Sequence, residues 1–167
     1  MKKIIGLFVA MLACSAVQSE NYSSVSYTKI SVEGSAASID LAGISGTYGT
    51  VLGDGMSAEL RFGIGVDDYR LYDGYGDYID TEADHYYGGY LKFSSTSGDI
   101  LPYAILGITK FKTTTYDSYD DETYKESEDD FSYGLGLDFA SGLNIEYMQY
   151  FDKNGIEING LSFGSKF

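Results

Sequence analysis

The only histidine of the sequence, His85, is the side chain best suited to general acid–base chemistry near neutral pH. Together with a serine and one of the many carboxylates it could form a Ser–His–acid set, which is defined by geometry rather than by sequence order. Only composition supports such a set, and the sequence contains no glycine-rich phosphate loop, no zinc-ligand spacing and no nucleophile elbow. We therefore interpret His85 as a structural residue and predict that the protein is not an enzyme and holds no cofactor or catalytic metal.

Period-two alternation of apolar and polar side chains predicts β-strands, because residues two apart lie on the same face of a strand. The clearest segment is 56–66, in which every even position is apolar and every odd position is Gly, Ser or charged. In 24–33 and 156–167 the apolar positions change parity, which predicts a β-bulge in each. The parity of 101–113 is open, because both of its faces are mostly apolar. Eight strands are predicted in all, at residues 24–33, 38–51, 56–66, about 85–93, 101–113, 131–139, 143–147 and 156–167.

The connections between these segments differ in length in a regular way. Two long ones, 67–84 and 114–130, are rich in Asp, Glu, Tyr, Gly and Ser, whereas 52–55, 95–100 and 140–142 are short. If consecutive strands pair antiparallel, both long connections fall at one end of the fold and all three short turns at the other. This asymmetry is typical of bacterial outer-membrane barrels. It places both termini on the periplasmic side and the long loops at the cell exterior.

Four stretches of the chain resemble one family of membrane proteins. They are 58–65 (AELRFGIG), 101–107 (LPYAILG), 133–138 (YGLGLD) and the C-terminal strand that ends at Phe167. They are similar to the small outer-membrane β-barrels of the porin family, which include the outer-membrane protein A transmembrane domain and the opacity-type surface antigens. The resemblance implies an all-β, eight-stranded, antiparallel up-and-down transmembrane β-barrel of a Gram-negative bacterium, without a shared catalytic set. It does not imply a diffusion pore, because eight strands enclose only side chains and open porins need about 16.

The polar face of the strands distinguishes a membrane barrel from its alternative, a soluble lipocalin-like ligand-binding barrel. Alternation cannot separate the two, because both have one apolar face. The polar face is rich in glycine, which weakens strands on a soluble exterior but leaves room for long side chains in a narrow lumen. The composition of this face therefore favours a membrane barrel with a polar interior.

Charged residues on this polar face form the principal candidate site. In a barrel that begins at the periplasm, five of them fall in the periplasmic half of the lumen. An unpaired charge would be costly there, so we predict a polar network that closes the lumen. The alternative is a set of independent hydrated charges in a wet interior. The residues of the predicted network are Glu59, Arg61, Lys92, Asp138 and Glu146.

Acidic residues are concentrated in the two long connections, which contain 15 of the 25 Asp and Glu residues. One interpretation is solvated surface loops, and another is adhesion to a host or cell-surface ligand, because Tyr in polar loops supplies contact area at modest entropic cost. A third is binding of Ca²⁺ or Mg²⁺ near lipopolysaccharide phosphates, although the spacing fits no EF-hand loop. The formal net charge of −14, or −16 without Lys2 and Lys3, excludes a basic nucleic-acid patch.

The first 19 residues are predicted to be a secretory signal peptide, with 20–167 as the barrel domain. A charged start is followed by an apolar run over 4–13, which is shorter than the roughly 20 residues of a spanning helix. We expect cleavage between Ser19 and Glu20. The single cysteine, Cys14, lies in a partial lipoprotein box, so lipidation is the alternative to its loss with the signal peptide.

The C-terminal strand is predicted to carry an assembly signal. Leu161, Phe163 and Phe167 form its apolar face, and the barrel-assembly machinery is the expected partner. The other expected partners are outer-membrane lipid and lipopolysaccharide, and we expect a monomer. The sequence thus favours an outer-membrane barrel with a closed lumen and a structural or adhesion-like surface role. The alternative is a small outer-membrane barrel enzyme that acts on lipid A and uses His85.

Overall fold

Nine antiparallel β-strands make up the computed structural model, which describes residues 20–34, 38–72, 77–153 and 155–167. The predicted signal peptide, including Cys14 and Ser19, lies outside the described residues. Within these ranges, no helix is long and apolar enough to cross a membrane. The strands are β1 (Asn21–Glu33), β2 (Ser38–Gly53), β3 (Met56–Gly65), β4 (Asp68–Tyr72), β5 (Tyr78–Ser94), β6 (Ile100–Asp117), β7 (Glu122–Phe139), β8 (Leu143–Lys153) and β9 (Ile156–Lys166).

Eight of these strands close a ring in the order β1–β2–β3–β5–β6–β7–β8–β9. The ring is complete because β3 pairs with β5 and because β9 pairs with β1. The seam between the last and first strands reaches the C-terminus, where the backbone groups of Phe167 and Ser23 exchange two hydrogen bonds of 2.9 Å each. A closed ring leaves no free strand edge at the level of the barrel.

The predicted long loops are mostly paired strands, which corrects the sequence-based assignment. β4 was not predicted; it follows β3 after Val66 and Asp67 and pairs with the first part of β5. β6 and β7 continue as one hairpin to the pair formed by Asp117 and Glu122. Thr and Tyr favour extended backbone there. Beyond the ring both faces of a strand meet water, so no apolar alternation marks these segments in the sequence.

These extensions form a sheet that rises above the ring, which we call the outer sheet. It contains four strands in the order β4–β5–β6–β7. Pairing between β7 and β8 stops at Tyr133 and Gln149, although β7 runs eleven residues further towards its start. The outer sheet comprises residues 68–72, 78–83, 113–117 and 122–131.

The β-bulges lie elsewhere than the sequence indicated. β1 and β9 keep a continuous register along their shared pairing, so the bulges predicted in them are wrong. Ile30 and Ile158 point into the lumen and are buried there, because the upper lumen is apolar. The register shifts occur instead between Val51 and Gly53, between Ala83 and His85, and between Gln149 and Phe151.

Apolar side chains cover the outside of the ring, as in a protein surrounded by lipid. Phe62, Leu135 and Phe163 are 55%, 68% and 52% exposed, whereas their strand neighbours on the other face point inward. β6 follows the same rule, with Tyr103 and Ile105 buried in the lumen, which settles the parity that the sequence left open. The lumen is polar at the short-turn end and apolar towards the outer sheet.

Candidate functional site

Arg61 on β3 lies at the centre of the polar half of the lumen, between two carboxylates. Its Nη1 is 2.5 Å from Oε1 of Glu146 on β8, and its Nη2 is 2.6 Å from Oε2 of Glu59. Two further hydrogen bonds, from Nε to Glu59 and from Nη2 to Glu146, complete a forked contact on each side. Both carboxylate side chains are only 2% exposed. The guanidinium therefore joins opposite walls of the barrel.

Lys92 on β5 extends the cluster to the remaining predicted residue. Its Nζ is 2.8 Å from Oδ2 of Asp138 and 3.8 Å from Oε1 of Glu59. The structure thus brings all five predicted lumen residues into one continuous chain of contacts. Alternation along each strand predicts that these five residues face the lumen. Closure of the ring then brings their side chains within contact distance of one another.

Three further residues join this network that the sequence analysis did not select. Tyr22 donates a 2.5 Å hydrogen bond to Glu59, and Tyr103 donates one of 2.9 Å to Glu146. Lys166 lies 3.9 Å from Asp138 and 3.8 Å from the centre of the Tyr22 ring. Lys166 could have been found from the alternation of β9, which places it on the inward face. Tyr22 could not, because it precedes the predicted strand that begins at residue 24. We call Glu59, Arg61, Lys92, Asp138, Glu146 and Lys166, with Tyr22 and Tyr103, the lumen network.

The lumen network is neutral and tightly packed. Three carboxylates face three cations, so the buried charges offset one another without a counter-ion. Glycines make room for rings in the lumen: a Cβ atom at Gly136 would overlap the ring of Tyr103 in this network, and one at Gly63 would overlap the ring of Tyr86 above it. The cavity left between the side chains is about 10 Å³. That is at the lower limit for holding a single water molecule, so this half of the lumen offers no path for a solute.

An apolar layer covers the lumen network on the side of the outer sheet. The rings of Tyr86 and Phe111 stack with centroids 5.4 Å apart, and Tyr150 packs against Tyr86 at 5.5 Å. Ile30, Leu41 and Ile158 are buried in the same cluster. The sequence did not predict this layer, because the changes of parity that place Ile30 and Ile158 inward were interpreted as bulges. We call the cluster of Ile30, Leu41, Tyr86, Phe111, Tyr150 and Ile158 the apolar cap.

A chain of hydroxyl groups lies between the two layers. The hydroxyl of Tyr90 is 2.5 Å from Oγ1 of Thr109, which is 2.6 Å from Oγ of Ser132. Ser132 in turn donates a 3.1 Å hydrogen bond to the backbone oxygen of Tyr150. Buried hydroxyl groups are costly without a partner, and these satisfy one another across three strands. The lumen is thus filled from the short-turn end to the base of the outer sheet.

His85 lies on the lipid-facing side of β5, away from the lumen. Its Nδ1 is 3.2 Å from Oδ1 of Asp84, whose other oxygen is 3.1 Å from Nζ of Lys112. The imidazole stacks between the rings of Phe62 and Tyr87, with centroids at 6.3 and 6.2 Å. None of these partners is a serine. The environment is that of a residue packed in an aromatic row at the rim of the barrel.

The outer sheet carries nine of the 25 acidic residues, several of them in local contacts. Arg70 forms a 2.6 Å ion pair with Asp80 across β4 and β5. In the β6–β7 hairpin, the hydrogen bond from Tyr116 to Asp121 raises the pKa of that tyrosine above its usual value. Tyr124 donates to Glu122, which raises its pKa in the same direction. Within the described ranges no group of three or more His, Cys, Asp or Glu side chains could hold a metal ion.

The other predicted site residues lie along the C-terminal strand and just before β1. Leu161, Phe163 and Phe167 all point outward from the C-terminal strand, with Phe163 opposite Tyr27 of β1. Glu20 is the first described residue, and its backbone oxygen accepts a 3.0 Å hydrogen bond from the amide of Val51. Phe167 thus lies at the barrel seam, whereas Glu20 is held by β2.

Comparison with known protein families agrees with this architecture. The family model described as outer membrane protein beta-barrel domain matches residues 4–165. The chain belongs to this family. It is therefore a bacterial outer-membrane β-barrel, and the soluble lipocalin-like alternative is set aside. Outer-membrane barrels carry their longer loops on the extracellular side, so the outer sheet faces the cell exterior. No curated protein matches the sequence with significance.

Solved structures of small outer-membrane proteins share the fold at low sequence identity. The attachment invasion locus protein Ail of Yersinia pestis, in complex with the heparin analogue sucrose octasulfate, aligns with a TM-score of 0.63 and 16% identity, covering 90% of this chain and 100% of Ail. Neisserial surface protein A aligns with a TM-score of 0.60 and 12% identity over 89% and 97% of the two chains. The N-terminal β-barrel domain of Pseudomonas aeruginosa OprF gives 0.51 and 20%, over 90% and 100%.

Proposed function

We propose that this outer-membrane barrel is a closed, non-enzymatic scaffold that presents the outer sheet for surface interactions. The observation that carries the proposal is the contrast between the two ends of the structure. The lumen is filled by the lumen network and the apolar cap, so it serves no transport, whereas the acidic outer sheet projects beyond the ring. A rigid acidic sheet at the cell exterior is suited to contact with another surface.

The closed lumen is tested by conductance in planar lipid bilayers. Purified protein is expected to give no stable single-channel steps, because the cavity in the polar half is about 10 Å³. Long-lived openings of the unmodified protein would contradict a closed lumen. The OprF barrel domain provides a comparison barrel of similar fold in the same assay.

The non-enzymatic role rests on the surroundings of His85. Its contacts are an aspartate and two aromatic rings on the lipid-facing side, without a serine at hydrogen-bond distance among them. Mass spectrometry of lipid A from cells with and without the gene should show the same acyl pattern. An acyl chain gained or lost only with the gene, and restored to normal by His85→Ala, would establish the enzymatic alternative instead.

The surface role is tested by adherence of intact cells. A non-adherent Gram-negative strain that expresses the protein should bind to cultured host cells or to immobilised matrix proteins. A variant in which residues 114–125 are replaced by a two-residue turn between the paired Thr113 and Glu126 should lose this binding while its barrel remains resistant to SDS before heating. Equal adherence of the two strains would contradict the proposal.

Partners on the cell side follow from the lipid-facing surface. We propose that the protein is a monomer in outer-membrane lipid and lipopolysaccharide, because its ring has no free edge within the bilayer. We also propose that Leu161, Phe163 and Phe167 form the strand recognised by the barrel-assembly machinery. Their outward orientation at the seam makes these side chains accessible to that machinery before the ring closes.

A further inference from the structure

Among the described residues the outer sheet ends at β4 on one side and at β7 on the other, and β7 offers the longer unpaired edge. β7 pairs with β6 over its full length, but its other neighbour β8 pairs with it only from Tyr133 to Asp138. The amide of Asp152 makes a 3.5 Å contact with the Asp130 carboxylate, which marks the upper limit of β8 contact. In the described part of the chain, no strand pairs with residues 122–129 on the side away from β6. We call these eight residues the β7 edge.

The β7 edge has the dimensions and support of a docking strand. Eight residues of antiparallel strand extend over about 27 Å, which is enough to pair with a strand of ordinary length. Residues Glu122 to Glu128 are exposed, so the backbone can be approached from solvent. β6 and β5 hold the strand from behind. An extended segment could therefore add to the sheet without ordering the β7 edge first.

Side-chain charge determines which segment fits. Glu126 and Glu128 lie two residues apart on one face, where they pair with Thr113 and Phe111 of β6. A strand that pairs with the β7 edge would place alternate residues next to them, and opposite charges at such positions are favourable. The edge holds four acidic residues and one cation, Lys125. A second copy of the same edge would bring like charges together, which disfavours self-pairing.

We propose that the β7 edge binds an extended, lysine- or arginine-rich segment of a partner protein by β-strand addition. The partner carries basic residues at alternate positions, and its backbone completes the open side of the outer sheet. This inference rests on the proposed surface role and names the chemistry of the partner. It differs from the sulfated ligand seen with Ail, which is an anion.

A synthetic peptide of four Lys-Val repeats tests the proposal against the purified full-length barrel in detergent micelles. Fluorescence anisotropy should show saturable binding that weakens with salt. The same peptide N-methylated at every residue keeps its charge but loses its backbone donors, so it should bind at least tenfold more weakly. Binding of the two peptides within twofold of each other, or no binding of the first at millimolar concentration, would overturn strand addition.

Matched charge variants locate the site. Glu126→Gln with Glu128→Gln should raise the Kd of the Lys-Val peptide at least tenfold. The control, Asp68→Asn with Glu82→Gln, removes the same charge from a cross-strand pair of β4 and β5 and should change Kd less than threefold. Equal losses would show diffuse attraction to an acidic surface rather than an edge site. Resistance to SDS before heating verifies that each variant is folded.

Three further outcomes separate this inference from its alternatives. A dimer of unliganded protein that dissociates in the Glu126→Gln, Glu128→Gln variant would assign the edge to a second copy and overturn the proposal. If cells adhere but the purified barrel does not bind the Lys-Val peptide, the surface role is supported and only the proposed edge site is overturned. If the peptide binds but cells do not adhere, the edge site is supported and the surface role is contradicted.

Discussion

Replacement of Arg61 by Met tests whether the lumen network stabilises the barrel. Met keeps much of the volume of the side chain but removes both forked contacts to Glu59 and Glu146. Removing one partner of a buried ion pair leaves uncompensated charge and costs about 3–5 kcal/mol. Tyr22 and Tyr103 still donate to the two carboxylates, and Lys92 remains 3.8 Å from Glu59. We therefore expect the lower part of that range, about 3 kcal/mol.

Equilibrium unfolding in urea with lipid vesicles measures this loss, with circular dichroism and the heat-dependent gel shift as independent probes. Arg70→Met is the matched control, because the pair that Arg70 forms with Asp80 is more exposed and such pairs contribute at most about 1 kcal/mol. Adding Glu59→Gln and Glu146→Gln to the Arg61 variant should restore part of the stability, since the unpaired charges are then removed. A loss below about 1 kcal/mol, or no recovery in the triple variant, would refute the network as a stabilising element.

The remaining predictions concern the apolar cap, the seam and the outer sheet. Phe111→Ala should lower the unfolding free energy in the same assay by about 3–5 kcal/mol, because it leaves a cavity beside stacked rings; an unchanged value would mean that the cap is loosely packed. Deletion of Phe167 removes the backbone pair with Ser23 and should reduce the heat-modifiable fraction in cell envelopes. Asp121→Asn should lower the pKa of Tyr116, because the anionic acceptor that raises it is gone. Ultraviolet titration should then show this tyrosine ionising at lower pH than in the unmodified protein, and an identical curve would exclude the hydrogen bond in solution.

The sequence predicted the parts of the fold in which burial differs between the two faces of a strand. In 56–66 the large even residues Leu60, Phe62 and Ile64 are exposed to lipid and the odd residues face the lumen, so alternation alone assigned the inward face. The same rule selected Glu59, Arg61 and Lys92 for one interior. Their contacts with Asp138 and Glu146 depend on ring closure, and the pairing of distant strands leaves no local pattern in the sequence.

Of the two regions that were missed, one lacks this contrast of environments and the other reverses it. In the outer sheet both faces are wet, so the strand residues of 114–117 and 122–130 were assigned to a loop by their polarity. At Ile30 and Ile158 the inward face is apolar, because the apolar cap fills the upper lumen, whereas the outward neighbours Lys29 and Glu157 are charged. The change of parity was therefore interpreted as a bulge, although the register of β1 and β9 is continuous. The continuous register follows only from a lumen that is polar in one half and apolar in the other, and no local pattern in the sequence reveals this division.

The residues of the lumen network come from strands that are far apart in the chain, and this has a consequence for the order in which the barrel assembles. Arg61 on β3 reaches Glu146 on β8, and Lys166 on the last strand reaches Tyr22 on the first. These contacts join residues that are 85 positions or more apart, so none can form within a nascent hairpin. Until β9 meets β1, the six charges remain hydrated and cannot be transferred into a dry interior without penalty. Dehydration of the core and sealing of the seam are thus expected to be one late, cooperative step of biogenesis.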